Sequence, residues 1–240
     1  MRNRVLVLVL GSLLVLGACA RDHVAPLGER TPLLLRANLG AVTAGLNASI
    51  PGLMKKAQIP GLQIALVRDG RVAWHQNYGV KNATTGARVT DETIFEAASL
   101  TKPLFAYLVM KLVDEGLIDL DRPFHLYFTR EEIEKGLGHS LDAPGFKRAW
   151  FEKITTRHIL SHSGGLPHGE GGEVVPIFFE PGTKWKYSAT GYEYFQYAVE
   201  KLKGRKLDAI VQEYVLGPLG MSRSSMVWRP GYEETMANCH

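Results

Sequence analysis

Ser99 and Lys102 stand three positions apart in EAASLTKPLFAYL, residues 96–108. If a helix starts at the serine, the lysine lies one turn further on and on nearly the same face, so its amine can approach the hydroxyl. A serine hydroxyl is a poor nucleophile until a base takes its proton. A lysine serves as that base when desolvation or neighbouring positive charge lowers its pKa. Backbone N–H groups at the helix start would then face the oxyanion formed on an attacked carbonyl. The same spacing also describes a serine N-cap followed by a surface lysine, and it arises often by chance. On spacing alone both readings stay open.

The elements around the pair are legible. From Leu100 onward, Leu104, Phe105, Leu108, Val109, Leu112 and Val113 recur at helical spacing. That wide apolar stripe predicts a deeply buried helix ending near Glu115-Gly116. Upstream, QIALVRDGRVAWHQ (63–76) places two β-rich runs around Asp69-Gly70, which predicts an antiparallel hairpin. Residues 33–57 read as a helix that Pro51-Gly52 should interrupt. Thr93 to Glu96 reads as extended, and residues 119–153 as irregular. Short helices are expected over Thr155–Ser161, from Gly191 to Lys203 and from Lys206 to Val215, with a glycine-rich loop at 163–172. Strands in front and helices behind make the fold class α+β, a mixed α/β layout. A lone hairpin does not support itself in water, so it must pack on helices or belong to a larger sheet, yet no convincing strand follows Val215.

Other constellations carry less. His158 and His162 lie four apart on an expected helix, with His168 beyond, but HILSH lacks the glutamate of an H-E-x-x-H zinc site. Helix capping and loop hydrogen bonds account for these histidines better. GHSLD at 138–142 lacks the final glycine of a nucleophile elbow, and the glycines of 164–172 lack a phosphate-loop lysine. Met221 and Met226 read as packing.

Five stretches together are specific: IPGLQIALVRDGRVAWHQNYG, TIFEAASLTKP, ITTRHILSHSGGLP, PGTKWKYSATGY and VLGPLGMSRSSM. In this order the chain resembles the serine β-lactamase and penicillin-binding-protein superfamily, in particular the class C-like serine hydrolases and esterases, over residues 59 to about 226. The resemblance implies a β-lactamase/transpeptidase-like fold, with an antiparallel sheet packed against a helical subdomain. It also implies an acyl-enzyme hydrolase that needs neither metal nor organic cofactor. Ser99 matches the acylated nucleophile, Lys102 the helical lysine that helps activate it, and Tyr187 of the YSA triplet the second-motif tyrosine that shuttles a proton. Cationic neighbours would lower that phenol from about 10 toward a usable value.

Two departures from the family pattern stand out. The second motif is usually Y-x-N, and position 189 here is alanine, which leaves a smaller and more apolar cleft better suited to esters than to β-lactams. No K-T-G, K-S-G or H-x-G triplet follows Tyr187, so the resemblance implies the N-terminal two-thirds of such an enzyme, its last strands absent. A second reading follows from this: a non-catalytic remnant that at most binds a cell-wall ligand.

The bulk properties fit an ordinary globular protein. With 28 basic against 24 acidic residues in 240 and no basic cluster, nucleic acid is not an expected partner. MRNR followed by VLVLVLGSLLVLGA has the pattern of an export signal, too short for a comfortable membrane span. It ends in Leu16-Gly17-Ala18-Cys19, which resembles the lipobox of bacterial lipoproteins and makes Cys19 the expected lipidated residue; cleavage after Ala20 is the alternative. Cys19 and Cys239 form no disulfide framework. The expected layout is a signal at 1–18, a tether at 19–31 and one domain at 32–240, its hairpin-bearing part at 32–98 and its mainly helical part at 99–240. The expected partners are a small-molecule or peptidoglycan-derived substrate and a membrane held through the lipid. The expected place is the periplasm or cell envelope; Ala20, giving no aspartate-type retention signal, tilts toward an outer membrane.

Overall fold

The computed structural model describes residues 38–169 and 172–238. The expected signal, the tether and Cys19 lie outside the described residues, as do Cys239 and the front of the first expected helix. The described chain forms two compact units. One holds residues 38–96 and 230–238, the other residues 97–229. The C-terminal residues, expected with the helical part, belong to the first unit through hydrogen bonds. Ile94 N–H donates to the Thr235 carbonyl at 3.0 Å, and Ala237 N–H donates to the Ile94 carbonyl at 2.8 Å.

In the first unit, helix α1 (Leu39–Ala57) is capped by Asn38, whose side chain accepts from the Gly40 N–H at 2.9 Å. The helix does not break at Pro51 as expected. The proline lacks only its own N–H, and the buried Ile50 and Met54 keep one face anchored through the next turn. Strands β1 (Gly61–Arg68) and β2 (Arg71–Gly79) pair antiparallel, from Gly61 opposite Gly79 to Arg68 opposite Arg71. The two turn residues, Asp69 and Gly70, have φ of 52° and 71°. Both are left-handed, as a type I′ turn requires and as the Asp-Gly pair predicts.

The second unit is helical and carries the Ser99 region. Helix α2 (Thr101–Asp114) buries Phe105, Leu108, Val109 and Leu112, the centre of the expected stripe, and Gly116 just beyond it has φ 71°. Its other face leaves Tyr107 and Met110 exposed, so the helix is buried on one side rather than all round. The stretch read as irregular contains helix α3 (Arg130–Leu137) and a single turn, α4 (Arg148–Phe151). Thr129 and Glu132 form a reciprocal capping box at the start of α3, a T-x-x-E signal that was present in the sequence. Helices α5 (Thr156–Leu160) and α6 (Thr190–Lys203) lie close to their expected positions. Helix α7 (Leu207–Val211) runs into a π-turn over Gln212–Leu216, closed by the Gly217 N–H on the Gln212 carbonyl at 2.8 Å. A final turn, α8 (Tyr232–Thr235), belongs to the first unit.

Phe195 on α6 is the hub of the second unit. It is fully buried, and its ring meets Phe105 of α2 edge-on at 5.7 Å and Phe124 at 5.6 Å. These contacts lock α6 against α2 and fix where the residues before α6 lie relative to Ser99. Phe195→Ala is expected to cost about 3–5 kcal/mol of stability by urea unfolding. A loss below about 1 kcal/mol would show that α6 is held by something else.

Candidate active site

Ser99 lies in a 3-10 turn, Ala98–Leu100, that leads directly into α2. Ala98 has φ 44°, a left-handed conformation that costs a non-glycine residue about 1–3 kcal/mol. That kink delivers Ser99 exposed at the helix mouth. The serine does not cap the helix: the N-cap position is Leu100, with no side-chain cap bond. Its Oγ accepts instead from Lys102 Nζ, one turn on, at 3.2 Å. A second donor, the Tyr187 hydroxyl, reaches the same Oγ at 2.7 Å from 88 positions away. The three side chains singled out in the sequence thus converge on one oxygen.

Lys102 serves three partners. Its ammonium also lies over the rings of Tyr187 at 5.1 Å and Tyr192 at 5.7 Å from the centroids, a favourable place for a cation.

Tyr187 belongs to a strap without regular secondary structure that enters α6. Two residues that sequence spacing did not reveal hold this strap. The first is Ser188, which is buried; its hydroxyl donates to the Pro167 carbonyl at 2.7 Å and accepts from the Gly191 N–H at 3.1 Å. It ties the glycine-rich loop to the first turn of α6, a capping task that Ala189 at the N-cap position does not perform. That loop fits because residue 165 is glycine. It has φ 75°, and a Cβ there would lie 2.5 Å from the Phe179 carbonyl oxygen.

The second is His162, which its spacing places with His158 on an expected helix and for which capping or loop hydrogen bonds are the expected role. Its carbonyl accepts from the Lys186 N–H at 3.0 Å and its Nδ1 from the Ser188 N–H at 3.2 Å. Its ring lies 4.5 Å from that of Tyr187 and 5.3 Å from that of Tyr192. The ring of His168 meets Tyr187 from another side at 4.8 Å. His158 has a different task, accepting the Thr155 N–H on its Nδ1 as part of the α5 capping box. Among the described residues no group of three or more His, Cys, Asp or Glu is placed to hold a metal ion.

The electrostatics of the phenol follow from competing terms. Desolvation pushes the Tyr187 pKa up. Hydrogen bonds with Lys102 and Ser99, together with the Lys102 charge, outweigh it and bring the phenol below its ordinary value. His162 goes the other way for a base. Burial first, then the charges of Lys102 and His168, push its imidazole below its usual range and favour the neutral ring. The arrangement can therefore do one kind of chemistry well. A phenolate sustained by an ammonium can take the proton of a hydroxyl 2.7 Å away and leave an alkoxide at a helix start.

The chain is similar to known proteins over most of its length. The family model described as Beta-lactamase matches residues 46–238. Penicillin-binding protein 4* of Bacillus subtilis (strain 168) is 25% identical over 72% of this chain and 39% of its own length. Esterase EstB of Burkholderia gladioli is 24% identical over 79% of this chain and 53% of its own length. The octameric penicillin-binding protein homologue from Pyrococcus abyssi superposes with a TM-score of 0.64 at 26% identity, over 81% of this chain and 47% of that one. The chain thus spans about half the length, or less, of these relatives.

Two outcomes follow from the strap. Ser188→Ala leaves the Pro167 carbonyl and the Gly191 N–H without their shared partner, and is expected to cost about 1–3 kcal/mol by urea unfolding. A loss within error would mean that water replaces the hydroxyl. His162, depressed in the folded state, binds its proton later than it would in the unfolded chain as pH falls. Its contribution to stability is therefore complete above about pH 6.5 and declines as pH drops from there toward the folded-state pKa. Unfolding midpoints measured across that window should fall in the wild type and fall less in His162→Asn; equal slopes would contradict the assignment.

Proposed function

The chain belongs to the Beta-lactamase family, and from that membership and the geometry at Ser99 we propose that it is a serine hydrolase working through an acyl-enzyme. The observation that carries the proposal is the pair of contacts on one oxygen, Tyr187 OH at 2.7 Å and Lys102 Nζ at 3.2 Å from Ser99 Oγ.

With the phenol ionised, the 2.7 Å contact reverses and the Ser99 hydroxyl donates to Tyr187. Attack on a substrate carbonyl carbon forms the C–O bond as the serine proton passes to the phenolate. Negative charge collects on the carbonyl oxygen, which needs N–H donors placed around it. Collapse breaks the bond to the leaving group, which takes the proton back from Tyr187. Water then attacks the ester carbonyl and gives a proton to the phenolate; collapse breaks the C–Oγ bond, the proton passes from Tyr187 to Ser99 Oγ, and the acid leaves with the phenolate restored. Lys102 remains an ammonium throughout, holding the phenolate and orienting the hydroxyl. The cycle consumes only water.

The relatives support three substrate classes. A β-lactam, a D-amino-acid peptide and a simple ester all fit an acyl-transfer serine. Alanine at 189, where the family usually has asparagine, removes an amide partner and favours the ester. The charged start, apolar run and Leu16-Gly17-Ala18-Cys19 support export and lipid attachment at Cys19. The substrate would then meet the enzyme in the cell envelope.

Incubation of the folded protein with a fluorophosphonate, and separately with a fluorescent penicillin, followed by peptide mapping, tests the proposal. An adduct on Ser99 is expected with at least the fluorophosphonate, none in Ser99→Ala, and labelling slowed about 10²–10⁴-fold in Tyr187→Phe. No adduct on Ser99, in protein shown to be folded, would leave a ligand-binding protein without catalysis.

A further inference from the structure

We propose that His162 is a positioning residue for the Tyr187 phenol, gripping the main chain on both sides of that tyrosine. The proposal rests on the reading of Tyr187 as the proton acceptor for Ser99.

The grip consists of two hydrogen bonds from one residue. The His162 carbonyl takes the Lys186 N–H at 3.0 Å, and its Nδ1 takes the Ser188 N–H at 3.2 Å. Only Tyr187 lies between those two amides. Its backbone is therefore fixed before and after, which leaves the two side-chain torsions. The imidazole covers these as well, lying at 39° to the phenol ring with 4.5 Å between centroids. Backbone and ring together set where the hydroxyl lands, and it lands 2.7 Å from Ser99 Oγ. Geometry of this kind matters to rate because proton transfer falls away steeply once the heavy atoms separate.

The contact also demands something of residue 162 that most side chains do not provide. Its φ is 57°, the left-handed region where histidine and asparagine are enriched and branched residues are strained. The residue there must offer an acceptor at the δ position. An imidazole accepts at Nδ1 only when neutral, with its proton on Nε2. The titratable groups that face it are Lys102 from α2, His168 from the loop, Tyr187 from the strap and Tyr192 from α6. Burial and the two basic neighbours hold the imidazole below its usual pKa and so preserve the acceptor.

Two substitutions separate the grip from general folding. His162→Asn keeps an acceptor at the δ position and tolerates positive φ, but has no ring. His162→Gly tolerates positive φ and keeps the carbonyl, but has no acceptor. Neither is forced out by the backbone. The measurements are amide hydrogen exchange at Ser188 by NMR and the rate of Ser99 labelling by a fluorophosphonate. In His162→Gly the Ser188 amide is expected to exchange about tenfold faster or more than in the wild type, and in His162→Asn to stay protected. Labelling is expected to be at least about tenfold slower in His162→Gly than in His162→Asn. Equal Ser188 protection in all three proteins overturns the proposal, and so does equal labelling in the two variants when the wild type labels. If the wild type does not label while Ser188 protection still follows the δ acceptor, the grip stands and the nucleophile reading falls.

Discussion

Three groups meet at one oxygen: the Ser99 hydroxyl, the Tyr187 phenol and the Lys102 amine. Two of them are three residues apart, one in the 3-10 turn that leads into α2 and the other in the first turn of that helix. The third arrives from 88 positions away and must arrive within hydrogen-bond distance. Much of the second unit can be read as the means of meeting that constraint. The Phe105–Phe195 contact locks α6 to α2. Ser188 ties the start of α6 to the loop at Pro167, and His162 holds the residues either side of the tyrosine. Remove the locking and the phenol is free to swing; an ångström is enough to lose the transfer.

The same constraint sets the electrostatics. A phenolate is disfavoured by any burial, and the site does bury Tyr187 in part. What offsets the desolvation is an ammonium that hydrogen-bonds to it and lies over its own ring. The neighbouring histidine contributes by staying neutral, because a protonated imidazole could not accept the Ser188 N–H. The cation that matters is thus the one on α2, and its place is fixed by helix geometry rather than by a loop.

How much of this the sequence disclosed depends on the range of the interaction. The hairpin was readable because Asp69-Gly70 dictates its own turn. The buried face of α2 was readable because helical periodicity repeats every turn. The serine–lysine approach follows from the same helical arithmetic. Helix α3 was missed although Thr129 and Glu132 signalled it, because glycine, proline and charge nearby outweighed a short capping pattern. Pro51 misled in the opposite sense: local propensity predicts a break, and the flanking buried residues carry the helix through. Tyr187 was reached only through resemblance, since nothing in spacing links it to Ser99. Ser188 and His162 escaped for a stronger reason. Their roles lie in hydrogen bonds to main-chain amides and carbonyls, which leave no mark on residue pattern. The stretches ITTRHILSHSGGLP and PGTKWKYSATGY contain both residues without assigning either a task, and the left-handed φ of 57° at His162 is visible only once the backbone is known.

The central claim is that the Lys102 ammonium makes the Tyr187 phenol acidic enough to serve as a base. Titration of ¹³Cζ-labelled tyrosine by NMR reads this directly, with Tyr187 assigned through Tyr187→Phe. The account predicts that the Tyr187 signal titrates below the ordinary tyrosine value of about 10 in the wild type and moves up in Lys102→Met. A phenol that titrates at or above that ordinary value, unmoved by loss of the ammonium, would contradict it.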